Sequence, residues 1–303
     1  MTIKKIRITD PEYPENLKNI YDPPKVLYVN GTLLPEDKLA VALVGSRRAS
    51  PYGIETCEKL AYELAVRGVT VVSGMARGID SAAHRGALMA GGRTVAVMGS
   101  GHDNIYPPEN EELYGRIAGH GAVVTEFEDD VAPLPGNFPQ RNRIISGLSL
   151  GVVVVEAARN SGALITANFA LEQGRDVFAV PGKISSRTSA GANELIKDGA
   201  RMAVSVDDIM EELSVPDLKT LSGEAGPEKG GAIARMTKAY LYNSLTDDER
   251  KIYRVLSDEP LYIDDIIAKA RLVAPRASKA LLGLQLKRMV KELPGKQFVK
   301  KGD

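Results

Sequence analysis

Short, unbroken apolar runs that alternate with helical stretches are the feature that most constrains how this chain of 303 residues folds. Between residues 39 and 213 these runs are rich in β-branched residues, and nearly all lack the polar residue at every second position that marks a half-solvated strand. Strands of a parallel sheet covered by helices on both faces have this pattern. The predicted strands are 40–44, 70–72, 94–98, 122–125, 152–155 and 177–180. The sequence therefore predicts an α/β fold, an extended Rossmann-type doubly wound parallel sheet.

The remainder of the chain is expected to form an arm, a linker and a second domain. Residues 1–38 are rich in proline and tyrosine and are predicted to be an N-terminal arm packed on the Rossmann-like domain, which spans 39–215. Residues 216–243 include four glycines and a proline within 222–231, which is typical of a linker.

Residues 244–303 are predicted to form a small C-terminal winged-helix domain. Thr246 is followed three residues later by Glu249, a capping box that opens a helix. The further predicted elements are a short helix near 264–270, a helix over 275–290 and a strand at 297–300. Three helices followed by a hairpin make a winged helix.

Charge and cysteine content limit the class of protein. Lys plus Arg and Asp plus Glu number 39 each, so any attraction for nucleic acid has to come from local patches. The single cysteine, Cys57, excludes an internal disulfide and is typical of a reducing compartment. No apolar segment is long enough to span a bilayer, and no signal peptide is evident. The sequence predicts a cytoplasmic protein with no membrane span.

Glycines, small polar residues and cations follow the predicted strands, where parallel strands end and helices begin. Because helix N-termini present unpaired N–H groups at this edge of a sheet, and small residues allow close approach, the loops are expected to bind phosphate groups. The predicted contacts in these loops are Gly45, Ser46, Arg47, Arg48, Ser73, Gly74, Arg77, Gly78, Arg159, Ser161, Gly162 and Lys183. Each glycine alone indicates only a turn, but their coincidence favours one binding site.

A second candidate segment lies between the fourth and fifth predicted strands, where an aromatic residue in a glycine-bounded loop precedes two arginines. Such an arrangement stacks a base while the cations hold neighbouring phosphates. The alternative, that Phe138 only anchors its loop in the core, has equal weight. The residues assigned to DNA contact here are Gly136, Asn137, Phe138, Arg141, Asn142 and Arg143, with Asn142 expected in the middle of a helix.

Motifs that resemble catalytic or cofactor sites fail on their context, so no catalytic residue, cofactor or metal site is predicted. Gly182 and Lys183 lack the remaining residues of a Walker A loop, and Ser149 precedes a strand, whereas a nucleophile elbow follows one. The three histidines are scattered, and the acidic run at 126–130 is typical of a solvated loop.

The last 33 residues carry nine Lys or Arg against two acids, a net charge of +7. Winged-helix domains lay their third helix and wing against nucleic acid, but the same charge also suits a protein-docking module or an ordinary solvated surface. The candidate DNA contacts here are Lys279, Lys287, Arg288 and Lys291.

Taken in order, several segments resemble the DNA-processing protein A family, also called Smf or DprA. The resemblance covers roughly 11–215 closely and 245–303 more loosely. Its motifs are GSRRASPYG, SGMARGIDSAAHRGAL, SGHDNIYPPEN, TEF, PGNFPQRNRIISGLS, EAARNSGALITA, VPG and GANELIKDGA.

This resemblance implies a homodimer without known catalysis that receives single-stranded DNA in natural transformation, protects it, and loads the RecA recombinase onto it. It assigns the phosphate-gripping arginine to Arg47 and the base-contacting aromatic to Phe138. Some members carry a lysine where this chain has Pro135, and many begin with a helical module that nothing in this sequence matches. The dimer contact is expected within 196–213, which is rich in apolar residues.

Two other classes of function are the alternatives. A nucleotide-binding or nucleoside-monophosphate-cleaving Rossmann enzyme would carry a P-G-G-x-G-T-x-x-E segment, which EAARNSGALITA does not match. A ligand-sensing transcription factor would read duplex DNA with its winged helix, so a competition between single strand and duplex separates it from the first interpretation.

Overall fold

The computed structural model describes residues 3–213, 246–257, 260–286, 290–293 and 295–300. The chain divides into two compact units, residues 1–224 and 225–303, and each is described by itself. Among the described residues, no helix combines the length and the apolar character needed to cross a membrane.

The first unit is built on a nine-stranded sheet with the order β1-β2-β6-β5-β4-β3-β7-β8-β9. The strands are β1 Lys4–Arg7, β2 Val26–Gly31, β3 Ala40–Gly45, β4 Thr70–Ser73, β5 Thr94–Val97, β6 Ala122–Thr125, β7 Gly151–Glu156, β8 Asp176–Ala179 and β9 Arg201–Met202. Neighbouring strands from β6 to β9 are parallel, whereas β1 and β2 are antiparallel at one edge. The predicted α/β fold is confirmed, and β3 to β8 are the six predicted strands.

Helices cover both faces of this sheet. They are α1 Glu15–Lys18, α2 Pro51–Val66, α3 Ile79–Met89, α4 Glu111–His120, α5 Asn137–Gly147, α6 Gly162–Glu172, α7 Ala190–Lys197 and α8 Val206–Glu212. One core lies between the sheet and α1, α5 and α6, and a second lies between the sheet and α2, α3 and α8. Cys57 is fully buried in the second core. Because both faces are covered, the parallel strands read as continuous apolar runs.

Residues 3–38 contribute two strands to the sheet rather than forming an arm that only packs on it. β2 pairs with β6 and β1 pairs with β2, both antiparallel. The sequence of β2 has the alternation of an edge-region strand, with Leu27 and Val29 buried while Val26 and Tyr28 are half-buried. Pro23, Pro24 and Pro35 flank this short alternating run, and proline content by itself indicates an extended arm.

The second unit has the elements of a winged helix. They are α9 Asp247–Val255, α10 Ile263–Ala270, α11 Ala274–Leu286, β10 Leu261–Tyr262, β11 Val290–Leu293 and β12 Gln297–Lys300, with the strand order β10-β12-β11. The Thr246 and Glu249 capping box is confirmed, since each backbone N–H donates to the other residue's side chain, at 2.7 and 3.4 Å.

The third predicted helix was too long at its C-terminal end. α11 ends at Leu286, and Val290 begins β11, where it pairs with Lys300 of β12. Val290 continues the helical spacing of apolar residues in the sequence, but it lies in a strand of the hairpin. The predicted linker at 216–243 lies outside the described residues.

Candidate nucleic-acid interface

An open cleft of about 690 Å³ lies where the parallel strands end and their helices begin. The loop after β3, the start of α5 and the loop before α6 all contribute to its walls. Of the predicted contacts, those that line it are Gly45, Ser46, Arg47, Arg48, Phe138, Arg141, Asn142, Ser161 and Gly162. The sheet topology thus brings together residues from positions 45 to 162, as the strand-end argument predicts.

The loop at residues 46–50, here called the arginine loop, presents Arg47 and Arg48 to solvent. Within the described part of the chain, neither arginine forms an ion pair with an acidic side chain. Unpaired guanidinium groups retain their full capacity to bind phosphate, often through two N–H groups at once. These two residues are therefore the free cations of the cleft.

Glu156, at the end of β7, holds the arginine loop in place. Its backbone carbonyl accepts from Ser46 N at 2.7 Å, and its Oε2 accepts from the Ser50 backbone N–H and hydroxyl, both at 3.0 Å. A Cβ at position 53 would lie 1.9 Å from Oε2, so any larger residue there would displace the Glu156 carboxyl group. Because this buried carboxylate lies beside the first turn of α2, the protein's own anion occupies that helix N-terminus.

The N-terminus of α6 faces the cleft without such a carboxylate. Ser161 caps this helix, and its first turn contains no acidic residue. Thr166, one turn further along, is only 2% exposed and lines the cleft, and its hydroxyl has no hydrogen-bond partner in the described residues. The unpaired N–H groups and the positive end of the helix dipole therefore favour an anion here rather than at α2.

Phe138 lies in the first turn of α5, not in a loop as predicted. Its ring is half-buried and has the Arg47 guanidinium carbon 4.9 Å from its centroid and the Tyr106 ring centroid 5.6 Å away. A Cβ at Gly99 would approach the ring to 2.9 Å. The ring therefore packs directly against Gly99 and forms part of the cleft wall.

Arg141 is buried beneath this wall instead of reaching into solvent. It is 3% exposed and donates to the carbonyl oxygens of Gly74, at 2.8 Å, and of Val97. Burial lowers the pKa of Arg141 to about 10, an effect that the nearby Asp80 carboxylate opposes. Burial likewise raises the pKa of Asp80, opposed chiefly by the charge of Arg141. The two form a charged floor beneath the cleft wall, and Arg141 links the ends of β4 and β5.

Gly78 after β4 acts through its backbone, whereas Ser73 at the end of β4 acts through its hydroxyl. Gly78 has φ +75°, and a Cβ there would lie 2.2 Å from Ser46 O, so only glycine lets this loop touch the arginine loop. Ser73 donates from its hydroxyl to Leu43 O at 2.6 Å. Neither Gly78, Ser73 nor Gly74 lines the cleft.

Several predicted phosphate contacts are engaged elsewhere. Arg143 is buried and forms a bidentate pair with Glu126, at 2.7 and 2.8 Å, so it does not accompany Phe138 as predicted. Arg77 forms a bidentate pair with Glu109. A bidentate pair uses two of the five guanidinium N–H donors and partly offsets the positive charge, so these arginines attract a phosphate less than Arg47 and Arg48 do.

The remaining predicted residues of the first unit lie around the cleft rather than in it. Arg159 is exposed and lies 3.6 Å from Glu194, and Lys183 is exposed on the loop after β8. Gly136 and Asn137 immediately precede Phe138 but do not line the cleft. In the second unit, Lys279 is exposed on α11 and Lys291 lies in β11, whereas Lys287 and Arg288 fall outside the described residues.

Sequence reasoning missed five residues that shape the site. They are Asp80, Tyr106, Glu156, Asn160 and Thr166. Glu156 was detectable, because an acid that ends an otherwise apolar buried strand needs a partner at the sheet edge. Tyr106 and Asp80 lie in segments whose path only the folded chain reveals. In the parts of the chain that are described, no three His, Cys, Asp or Glu side chains cluster as metal ligands.

Comparison with known protein families matches most of the chain. Residues 4–214 match the model of the DNA recombination-mediator protein A family, and residues 238–296 match the DprA winged helix domain. Protein Smf of Synechocystis sp. is 36% identical over 95% of this chain and 78% of its own length. DNA processing protein DprA of Bacillus subtilis is 44% identical over 70% of this chain and 71% of its own length.

Solved structures agree with these matches. The crystal structure of DprA from Streptococcus pneumoniae superposes with a TM-score of 0.66 at 42% identity, covering 70% of this chain and 75% of that one. DprA from Helicobacter pylori, whose structure is described for its single-stranded DNA binding mode, gives a TM-score of 0.63 at 30% identity, covering 71% and 96%. The chain belongs to the DNA recombination-mediator protein A family, also known as DprA or Smf.

Proposed function

We propose that this protein binds single-stranded DNA in the cleft, as a DNA-processing protein of natural transformation. The observation that carries the proposal is the pairing of Arg47 with Phe138. An unpaired guanidinium lies 4.9 Å from a half-buried aromatic ring, in an open cleft rather than in the core. A cation beside a ring that stacks on bases binds single strands independently of sequence. The single-stranded DNA binding for which the Helicobacter pylori relative is described supports single-stranded DNA as the ligand.

The wider role that we infer is protection of the incoming strand and delivery of the RecA recombinase onto it in the cytoplasm. We propose that the protein acts by binding rather than by catalysis. The two acids next to the arginine loop support this, because Asp80 lies in the field of Arg141 and Glu156 binds Ser50. Neither carboxyl group is both accessible to solvent and free of other contacts, as a general acid or base has to be.

The affinity for single-stranded DNA should depend on salt concentration. Affinity of the intact protein for oligothymidine should fall with salt, with a log–log slope of about −0.7 for each phosphate neutralised, because bound counterions are released. Arg47→Ala should make the slope shallower by about 0.7 and weaken all sequences equally, since phosphate carries no base information. Fluorescence anisotropy across a salt series measures both quantities.

A duplex of equal length serves as competitor in the same experiment. The proposal expects the single strand to win, since only unpaired bases are free to stack on Phe138. Tighter duplex binding, or a salt slope near zero, would favour a transcription factor or a nucleotide-binding protein instead.

Phe138→Ala should lower single-strand affinity by about 1–3 kcal/mol, the usual value of one stacked base. The melting temperature should change little, because the half-buried ring borders the open cleft. Tyr21→Ala, which removes an aromatic ring that is fully exposed in the first unit, is the matched control and should affect neither quantity. A fall in melting temperature with unaltered affinity would assign Phe138 to the core.

We also propose a homodimer formed through the first unit, at the open edge next to β9. Within 196–213, the structure exposes Met202 by 54% and Val204 by 65%, whereas Ile209 is fully buried in the protein's own core. Light scattering at micromolar concentration should give twice the monomer mass, and Met202→Asp combined with Val204→Asp should halve it. An unchanged mass of the double variant would place the dimer contact elsewhere. A monomeric wild type would exclude the homodimer.

A further inference from the structure

The loop between β8 and α7 is a closed, anchored projection. Gly182 and Ser189 form its neck, where a Cβ on Gly182 would lie 2.2 Å from Ser189 Oγ. Asn193 of α7 binds both backbone groups of Gly182 at 3.0 Å, accepting from its N–H and donating to its carbonyl. Residues 183–188, here called the basic loop, therefore leave and re-enter the fold at one fixed point.

The basic loop carries cations and an exposed apolar side chain but no acid. Lys183 and Arg187 are both exposed, and neither forms an ion pair within the described ranges. Ile184 between them is 99% exposed. A backbone turn, in which Ser186 N donates to Lys183 O at 2.9 Å, brings residue 186 back beside Lys183, and Arg187 follows directly. Two unpaired cations on a short turn attract an anion with at least two charges.

This loop adjoins the cleft but does not line it. Pro181, just before the loop, accepts a hydrogen bond from the Tyr52 hydroxyl of α2 at 3.3 Å. α2 begins directly after the arginine loop. On the other side of the basic loop, Gly191 N donates to Ala157 O at 2.7 Å, which ties α7 to the segment leading to Asn160 on the cleft wall. Arg159, 75% exposed, lies on the same connecting segment.

We propose that the basic loop is a second contact for DNA, which binds the backbone of the strand as it continues out of the cleft. The proposal rests on the proposed function of the cleft and adds a separate surface to it. Lys183 and Arg187 bind successive phosphates of a polyanion that the arginine loop has already captured. Ile184 offers an apolar contact to a base or sugar between them, the role that exposed aliphatic side chains take at other nucleic-acid surfaces.

A polyanionic strand is the occupant that fits these observations. The arginine loop, Arg159 and the basic loop form a run of exposed cations along one edge of the sheet, and among them only Arg159 has an acidic neighbour, Glu194, in the described residues. An acidic protein segment would need matching apolar surface, and Ile184 is the single exposed aliphatic residue of the loop.

The test compares short and long oligothymidine, of about 6 and about 20 nucleotides, a range that spans typical single-strand site sizes. Lys183→Ala combined with Arg187→Ala should leave affinity for the short oligonucleotide within about twofold. For the long one, the log–log salt slope should become shallower by about 1.4, and affinity at 0.15 M salt should fall about tenfold, as expected for two lost phosphate contacts. Ile184→Ser should weaken only the long oligonucleotide, with its slope unchanged.

The matched control is Lys18→Ala combined with Arg116→Ala, which removes the same charge from exposed positions on α1 and α4. This control should change neither slope, so any loss in the test variant is local rather than a result of net charge. Equal weakening of both lengths would place the basic loop inside the first binding site and overturn the proposal, as would an unchanged long-oligonucleotide slope. Failure of the wild type to bind either length would instead contradict the function proposed for the cleft.

Discussion

Arg141→Ala is expected to lower the free energy of unfolding by about 3–5 kcal/mol, the cost of removing one partner from a buried charged pair. The guanidinium donates to the carbonyl oxygens of Gly74 and Val97, and its charge favours the ionised form of the buried Asp80 side chain. Without it, two carbonyl groups and a carboxylate are left in a site with little access to water. Urea denaturation monitored by circular dichroism measures the change.

Two further variants separate this structural role from a direct contact with DNA. Adding Asp80→Asn to Arg141→Ala should recover part of the loss, because the unpaired buried charge is then removed. Arg48→Ala, at an exposed cleft position, should lower single-strand affinity with stability unchanged. If Arg141→Ala instead kept full stability and lost only affinity, the original prediction of Arg141 as a phosphate contact would stand.

Acid should destabilise the protein through His84. Its side chain is fully buried, and Thr94 Oγ1, which donates to Val71 O, lies 2.7 Å from its Nδ1. The Thr94 hydroxyl therefore accepts from Nδ1–H, which leaves Nε2 unprotonated and without a partner. Burial, reinforced by the cations Arg141 and Arg85, lowers the pKa of His84 to about 3 from an ordinary value near 6.5.

The direction of the pH dependence follows from this lowered pKa. Above about pH 6.5 the histidine is neutral in both the folded and unfolded states, so its contribution to stability is complete. As the pH falls from 6.5 towards 3, only the unfolded chain takes up the proton, and the free energy of unfolding decreases. Between pH 6.5 and 4 this amounts to about 3 kcal/mol, at 1.36 kcal/mol per pH unit.

Urea denaturation of the wild type and of His84→Gln across this pH range measures that contribution. The variant removes the titrating group, so its stability should depend less on pH by about 3 kcal/mol. His102, whose pKa burial also lowers, remains in both proteins and cancels in the comparison. Parallel pH profiles for the two proteins would mean that His84 is solvated or protonated in the folded state.

Local patterns in the sequence determined the sheet and the edge at which the cleft lies. The six apolar runs form β3 to β8, because a strand that is buried on both faces is apolar along its whole length. The small residues after them lie at one edge because parallel strands all end there. The Thr246 and Glu249 capping box likewise operates over three residues and is visible without any knowledge of the fold. Phe138 could be identified as a candidate, but its place in a helix and its contact with Arg47 could not.

Tertiary structure alone decided which arginines remain free to bind a ligand. Arg47, Arg141 and Arg143 look equivalent in the sequence, since each lies in a loop or helix start near glycines. Arg47 is exposed and forms no ion pair within the described residues, whereas Arg141 donates to backbone carbonyls and Arg143 pairs with carboxylates. The carbonyl partners of Arg141 lie 44 and 67 residues away in sequence, and the carboxylate partners of Arg143 lie 17 and 121 residues away. Sequence periodicity indicates which face of a helix or strand carries a given side chain. The charge partner of that side chain depends on which distant segments fold against that face.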